Sequence, residues 1–140
     1  MQEQNIIYMK PIDKLAWIEI QGKRILSTRS FGKDKYYIPG GKREEGETDA
    51  EALMREIREE LSTDLIKESI QFFAVFEAQA HGHPVGTNVK MTCYMAKYTG
   101  TLKAAAEIEE ICWLCYADKD KISDVDKLIF DYLKERDLVE

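Results

Sequence analysis

Positive charge is what this chain has too little of. Its 20 lysines and arginines are outnumbered by 26 aspartates and glutamates, which leaves a formal net charge of −6. A basic footprint covering the whole domain, as expected of a nucleic-acid binder, is therefore absent. Long apolar runs are missing too. Nothing approaches the roughly 18 consecutive apolar residues that a membrane-spanning helix needs. The first stretch, MQEQNIIYMKP, carries neither the charged nor the apolar region of a signal peptide, so a cytoplasmic location is expected. Cysteine is scarce and odd in number: Cys93, Cys112 and Cys115. That argues against a disulfide scaffold and fits a reducing compartment. Cys112 and Cys115 form a C-x-x-C inside an apolar, strand-like run, where positions i and i+3 point to opposite faces. No second pair accompanies them, so buried, inert thiols are expected. Internal repeats, low-complexity tracts and linkers are also lacking. The 140 residues, 44% of them hydrophobic, suffice for one domain with its own core, and a single domain over 1–140 is expected.

What is present is a run of alternating apolar segments and two amphipathic ones. Lys14 to Ile20 and Arg24 to Ser30 read as strands joined by a Gln21-Gly22-Lys23 turn. Tyr36 to Ile38 reads as a short strand ended by Pro39. Ile70 to Ala80 and Lys90 to Tyr98 read as longer strands around a Gly/His/Pro-rich loop, and Ile108 to Tyr116 as another. Asp49 to Leu61 and Ile122 to Leu138 carry apolar residues at helical spacing. The sum is a mixed α/β domain with two main helices.

The stretch from Gly40 to Thr63, GGKREEGETDAEALMREIREELST, holds the chemistry. Thr48 is a suitable helix N-cap, with Glu51 three residues on as in a capping box. Glu56, Glu59 and Glu60 are related by i+3 and i+4, so they share one helix face. A solvated acidic face screened by Arg55 and Arg58 would explain them equally well. The Gly-Gly pair just before the helix adds a different consideration. It permits positive φ and close approach of backbone carbonyls, and oxygen donors of both kinds suit a hard cation.

Gly41, five residues, Glu47, seven residues, then Arg55-Glu56-Ile57-Arg58-Glu59-Glu60 resembles the Nudix box, G-x5-E-x7-R-E-U-x-E-E-x-G-U with U a bulky apolar residue. Two positions depart: Ser62 stands in place of Gly, and Thr63 in place of the last apolar residue. The resemblance implies the Nudix fold, a mixed β-sheet sandwiched between α-helices (α/β/α). It implies hydrolysis of a nucleoside diphosphate linked to a group X, with Mg²⁺ or Mn²⁺ as cofactor. It also implies roles for residues. Glu59 and Glu60 match metal ligands, Glu56 a ligand or general base, and the Gly40 carbonyl a further ligand. Glu47 and Arg55 match a pair that orients the carboxylates. A further acid often comes from outside the box, and Glu107 is the choice over Glu109 and Glu110; the alternative is a solvated loop of acids. Lys42, Arg24, Arg29 and Tyr37 are candidate substrate contacts, although the arginines could simply face solvent and Tyr37, like Tyr36, Phe73 and Phe76, could belong to the core. His81 and His83 lack the further ligands of a zinc site, and their loop reads as a lid over substrate or a hairpin tip.

Marks of other subfamilies are missing. ADP-ribose types tend to carry a Pro, and dinucleoside-polyphosphate types a Tyr, in the region occupied here by Ala78 and Gln79. The compact length and the PGGK followed by Glu-Gly-Glu-Thr are similar to MutT-type pyrophosphohydrolases. The expected reaction is cleavage of a standard or modified nucleoside triphosphate to monophosphate and pyrophosphate. ADP-sugars and capped RNA are alternative substrates, and a catalytically silent regulatory module is the alternative from another class. The expected partner is a small nucleotide, not a membrane or nucleic acid, and monomer and homodimer are both compatible with the sequence.

Overall fold

The computed structural model describes residues 10–140. At its centre is β1 (Ile12–Trp17), which alternates between two cores. Leu15 and Trp17 turn to one side, where α1 (Asp49–Leu61) adds Leu53, Ile57 and Leu61. Ala16 turns to the other, where α2 (Asp124–Glu135) adds Ile129, Phe130 and Leu133. Period-2 alternation in the strand and period-3.6 stripes on the helices thus give the expected helix–sheet–helix layering. β1 pairs in parallel with β7 (Asn88–Met95) and antiparallel with β4 (Gly40–Gly41), and β6 (Gln71–Gln79) lies antiparallel on the far side of β7. A second, antiparallel sheet runs β2 (Ile20–Gln21), β3 (Arg24–Ser30), β9 (Ile108–Leu114). β5 (Asp64–Leu65) and β8 (Tyr98–Thr99) form a small ladder. Among the described residues, no helix is long and apolar enough to cross a membrane.

Three expectations about elements need correction. The strand read over Lys14 to Ile20 is two strands in different sheets. Ile18 still donates its N–H to Tyr94 O at 2.8 Å, whereas the carbonyl of Glu19 already accepts from Leu26 N at 2.9 Å. The switch of partners between these neighbours ends one ladder and begins the other. Tyr36 to Ile38 is not a strand but a pair of isolated bridges, Thr28 to Tyr37 and Tyr36 to Ile122. The second helix is shorter than Ile122 to Leu138, because Asp137 takes a left-handed φ of 57° just beyond its end. Cys93 is fully buried as expected, but Cys112 and Cys115 are only half-buried; all three are free thiols.

The helix carrying the box is capped as its sequence suggests. Thr48 Oγ1 accepts from Glu51 N, and Glu51 Oε1 accepts from Thr48 N, each at 3.2 Å. Its other end departs from the usual pattern in a readable way. Ser62 adopts the left-handed conformation, φ 55° and ψ 32°, that glycine takes without cost. Thr63 is buried and donates its hydroxyl to Thr101 O at 3.3 Å, so a polar group replaces the apolar one without losing its partner. Ser62 is exposed, and the left-handed region costs a non-glycine residue about 1 kcal/mol or more. Ser62→Gly is therefore expected to stabilise the fold by about 1 kcal/mol, a rise of roughly 3 °C in Tm. A thermal melt showing no rise, or a fall, would remove the strain argument.

Candidate active site

Two glycines bring the box helix against β1, and each is required for a different contact. A Cβ on Gly40 would collide with the carbonyl oxygen of Leu15 in the adjacent strand. A Cβ on Gly41 would lie 2.5 Å from Cδ of Glu56. The Glu56 carboxylate therefore packs directly on the bare backbone of β4. This explains why a glycine at the start of the motif and an acid fifteen positions later belong to one unit.

Arg55 ties the loop to the helix. Its Nε and Nη2 donate to the two carboxylate oxygens of Glu47 at 2.8 and 2.9 Å, a bidentate pair. Nη2 also donates to the carbonyl of Lys42 at 3.0 Å, and Nη1 to Glu56 Oε1 at 3.0 Å. The Arg55 guanidinium, together with the Glu44 N–H, pulls the Glu47 carboxyl down to about 2. Glu47 is thus a fixed anion whose task is to hold Arg55, and Arg55 in turn fixes the rotamer of Glu56.

The three acids of the shared face experience different surroundings. Glu60 is 7% exposed, and its Oε1 accepts from Gly40 N at 3.1 Å. Burial pushes its carboxyl up to about 8; the Gly40 N–H opposes this, and the charges of Glu56, Glu107 and Glu59 add to it. Burial also raises Glu56, against the pull of Arg55. Glu59 is largely in solvent and reaches no closer than 3.5 Å to Arg55. Among the described residues, no three acidic, histidine or cysteine side chains converge closely enough to hold a metal as they stand. Gly40, Glu56, Glu59, Glu60 and Glu107 are consequently separate oxygen donors, not an assembled cage, and mutual repulsion is a sufficient cause. The donor set still fits a hard divalent cation. It is all oxygen, and Glu60 is a buried carboxyl whose neighbouring charges are mostly negative, a situation that a cation reverses.

Gly40, Glu56 and Glu60 line one end of a cavity of about 710 Å³, and Glu59 stands outside its lining. Glu107, Lys42 and Tyr37 line it too. Glu107 is separated in this way from its neighbours, because Glu109 and Glu110 pair with Arg29. The expected phosphate contact from Arg29 is therefore corrected: two carboxylates and the Tyr36 ring 6.0 Å away already occupy its guanidinium. Arg24 is corrected as well, since it begins β3 beside the Gly22-Lys23 turn and does not line the cavity. Phe73 and Phe76 pack edge-on against Tyr132 and belong to the core. His81 and His83 line the cavity, with His81 Nε2 3.8 Å from Asp34 Oδ1, so the loop tip is part of its wall.

The far end of the cavity is apolar, built from Ile12, Ala80, Val89, Met91 and Val125. Beside it are polar groups that sequence reading missed. Asp126 is fully buried; its Oδ2 accepts from Ile38 N at 3.0 Å, while among the described residues neither Oδ1 nor Ser123 Oγ has a hydrogen-bond partner. Burial pushes the Asp126 carboxyl up to about 7. The signal for it was an acid on the buried stripe of α2, four residues before Phe130 and seven before Leu133. Lys14 also lines the cavity, half-buried, and its only signal was a charge within an alternating strand.

Known proteins share this fold. The family model described as the NUDIX domain matches residues 15–132. No curated protein matches the sequence. Among solved structures, the MutT protein from Methanosarcina mazei Go1 is 16% identical with a TM-score of 0.71, over 93% of this chain and 98% of that one. The MutT NUDIX hydrolase from Burkholderia pseudomallei is 20% identical with a TM-score of 0.69, over 88% and 98%. A UDP-X diphosphatase is 15% identical with a TM-score of 0.65, over 96% and 67%. At such identities the likeness is one of fold.

Proposed function

The chain belongs to the Nudix family, and from that premise we propose that it is a divalent-metal-dependent pyrophosphohydrolase. It cleaves a standard or modified nucleoside triphosphate to the monophosphate and pyrophosphate. The observation that carries this reading is a continuous cavity lined by Glu56 and Glu60 and also by apolar side chains. Its volume of about 710 Å³ falls in the usual range for a small-ligand pocket and accommodates one nucleotide, with the base against Val89 and Met91 and the phosphates towards the acids. The two cores share β1, which supports reading the chain as one domain. The free thiols support a reducing, cytoplasmic location.

Glu59, Glu60 and Glu56, with the Gly40 carbonyl, are the proposed holders of Mg²⁺ or Mn²⁺, and Glu107, which lines the same cavity, is the proposed further ligand. Bound there, the cation would neutralise phosphate charge and make water a better nucleophile. Arg55, held by Glu47, keeps Glu56 in place, so that Glu56 can act as ligand or as base for the attacking water. Lys42 contributes a cation at the phosphate end. Retention of all three box carboxylates argues against a silent regulatory module.

The test is a product assay with standard and oxidised nucleoside triphosphates, ADP-ribose, dinucleoside polyphosphates, sugar nucleotides and capped RNA. Pyrophosphate and orthophosphate are scored separately. The expected result is pyrophosphate from one triphosphate class, lost when a chelator removes the metal and restored by excess Mg²⁺. Intact triphosphates together with a cleaved sugar nucleotide or cap would replace the substrate class and leave the family chemistry standing.

A further inference from the structure

Lys14 occupies a strand position that the fold alone would fill with an apolar side chain. Along β1, Ile12 and Ala16 both pack in the α2 core, and Lys14 lies between them on the same face. It is opposite Met91 of β7, and its neighbour Leu15 pairs with Gly41. The side chain is half-buried in the cavity wall. Burial and the nearby charge of Lys42 lower its pKa, while the charges of Asp126, Glu60 and Glu56 oppose this only through space. Among the described residues it has neither an ion pair nor a hydrogen bond. An ammonium that gives up hydration without gaining an acceptor destabilises the free protein. It is a poor structural choice and a good ligand for an anion that comes from outside the chain.

Its position indicates which anion. On one side of β1 is the glycine strand, which carries Lys42 next to Gly41 and has the Glu56 carboxylate packed on it, and on the other is β7 with Val89 and Met91 of the apolar pocket. A nucleotide whose base fills the apolar end and whose reacting phosphates meet the acids must pass its sugar and first phosphate across Lys14. Resting on the nucleotide reading above, we propose that Lys14 is a specificity-determining substrate contact, its ammonium binding the phosphate group that stays attached to the nucleoside. A lysine serves here as a point charge for a phosphate oxygen. The apolar environment strengthens the contact and leaves the enzyme selective for nucleotides over nucleosides and over free polyphosphate.

The experiment compares wild type, Lys14→Met and Lys14→Arg by calorimetry with AMP, GMP, CMP and UMP and with the four matching nucleosides. Mg²⁺ is present throughout. Monophosphates are products, so binding is read without turnover. Wild type should bind one monophosphate well above its nucleoside. In Lys14→Met that preference should fall by about 10- to 100-fold while nucleoside affinity stays unchanged, and Lys14→Arg should restore part of it. With triphosphate substrate, the same loss should appear mainly in KM. Lys14→Met should also melt at a higher temperature than wild type when no ligand is present, which shows that the variant folds and that the lysine is kept at a cost in stability. Equal losses for nucleoside and monophosphate would mean that Lys14 reads the base, and no change for either would mean that it touches nothing; both overturn the assignment while the nucleotide reading survives. Wild-type protein that binds no monophosphate would overturn both.

Discussion

Glu59→Gln should lose at least about 10²-fold in kcat while the protein keeps its fold and its stability within about 0.5 kcal/mol. The contrast among the three box acids makes this the cleanest substitution. Glu60 is buried and accepts from Gly40 N, so changing it perturbs the glycine strand as well as the site. Glu56 is held by Arg55 and packs on Gly41, so changing it frees an arginine that has three other acceptors to redistribute. Glu59 has a side chain 55% exposed whose nearest charged neighbour is 3.5 Å away, so its amide isostere removes charge and little else. If Glu59 is a metal ligand, the neutral oxygen binds a hard cation more weakly, and activity should recover partly at high Mg²⁺. Steady-state turnover of the best triphosphate, with circular dichroism and a urea melt as controls, reads all three quantities. Near-normal turnover at low Mg²⁺ would take Glu59 out of the metal site.

The parts of the site that could be read from sequence are those in which spacing along the chain determines spacing in space. Glu56, Glu59 and Glu60 share a face because a helix puts them there, and the Thr48–Glu51 cap sets where that helix begins. The Glu47–Arg55 pair is likewise local to one loop and one helix. Legibility ends where the partner comes from a distant element. Arg29 looked available until β9, remote in sequence, brought Glu109 and Glu110 alongside it in the second sheet. Asp126 looked like one more acid in the first turn of a helix, a favourable and ordinary place, until α2 was seen to press it against Ile38. Lys14 looked like the polar member of an alternating strand, but its face of β1 is the one that packs in the α2 core, between Ile12 and Ala16. The split of the first strand between two sheets was unreadable for the same reason: local propensity is identical on either side of Glu19, and only the partners differ.

Asp126→Asn should change the pH dependence of stability more than any other single substitution away from the box. In the folded chain burial raises this carboxyl to about 7, from an ordinary value of 3.8 when unfolded. A raised folded value means that the native state holds its proton more tightly than the unfolded one. The stabilisation is complete below about pH 4 and is lost as pH rises through 7, above which both states are ionised and the loss is constant. At 1.36 kcal/mol per unit the total is on the order of 4 kcal/mol. The asparagine cannot ionise, and its oxygen can still accept from Ile38 N, so it escapes that loss. Urea unfolding of wild type and variant at pH 5, 6, 7 and 8 isolates Asp126 from Glu60, which titrates in both proteins and cancels in the difference. Relative to wild type, the variant should gain stability steadily between pH 5 and 7 and hold the gain at pH 8. Parallel curves would mean that Asp126 stays ionised throughout. The field of Lys14 would then outweigh the burial, and the two residues would act at the apolar end of the cavity as a charged couple.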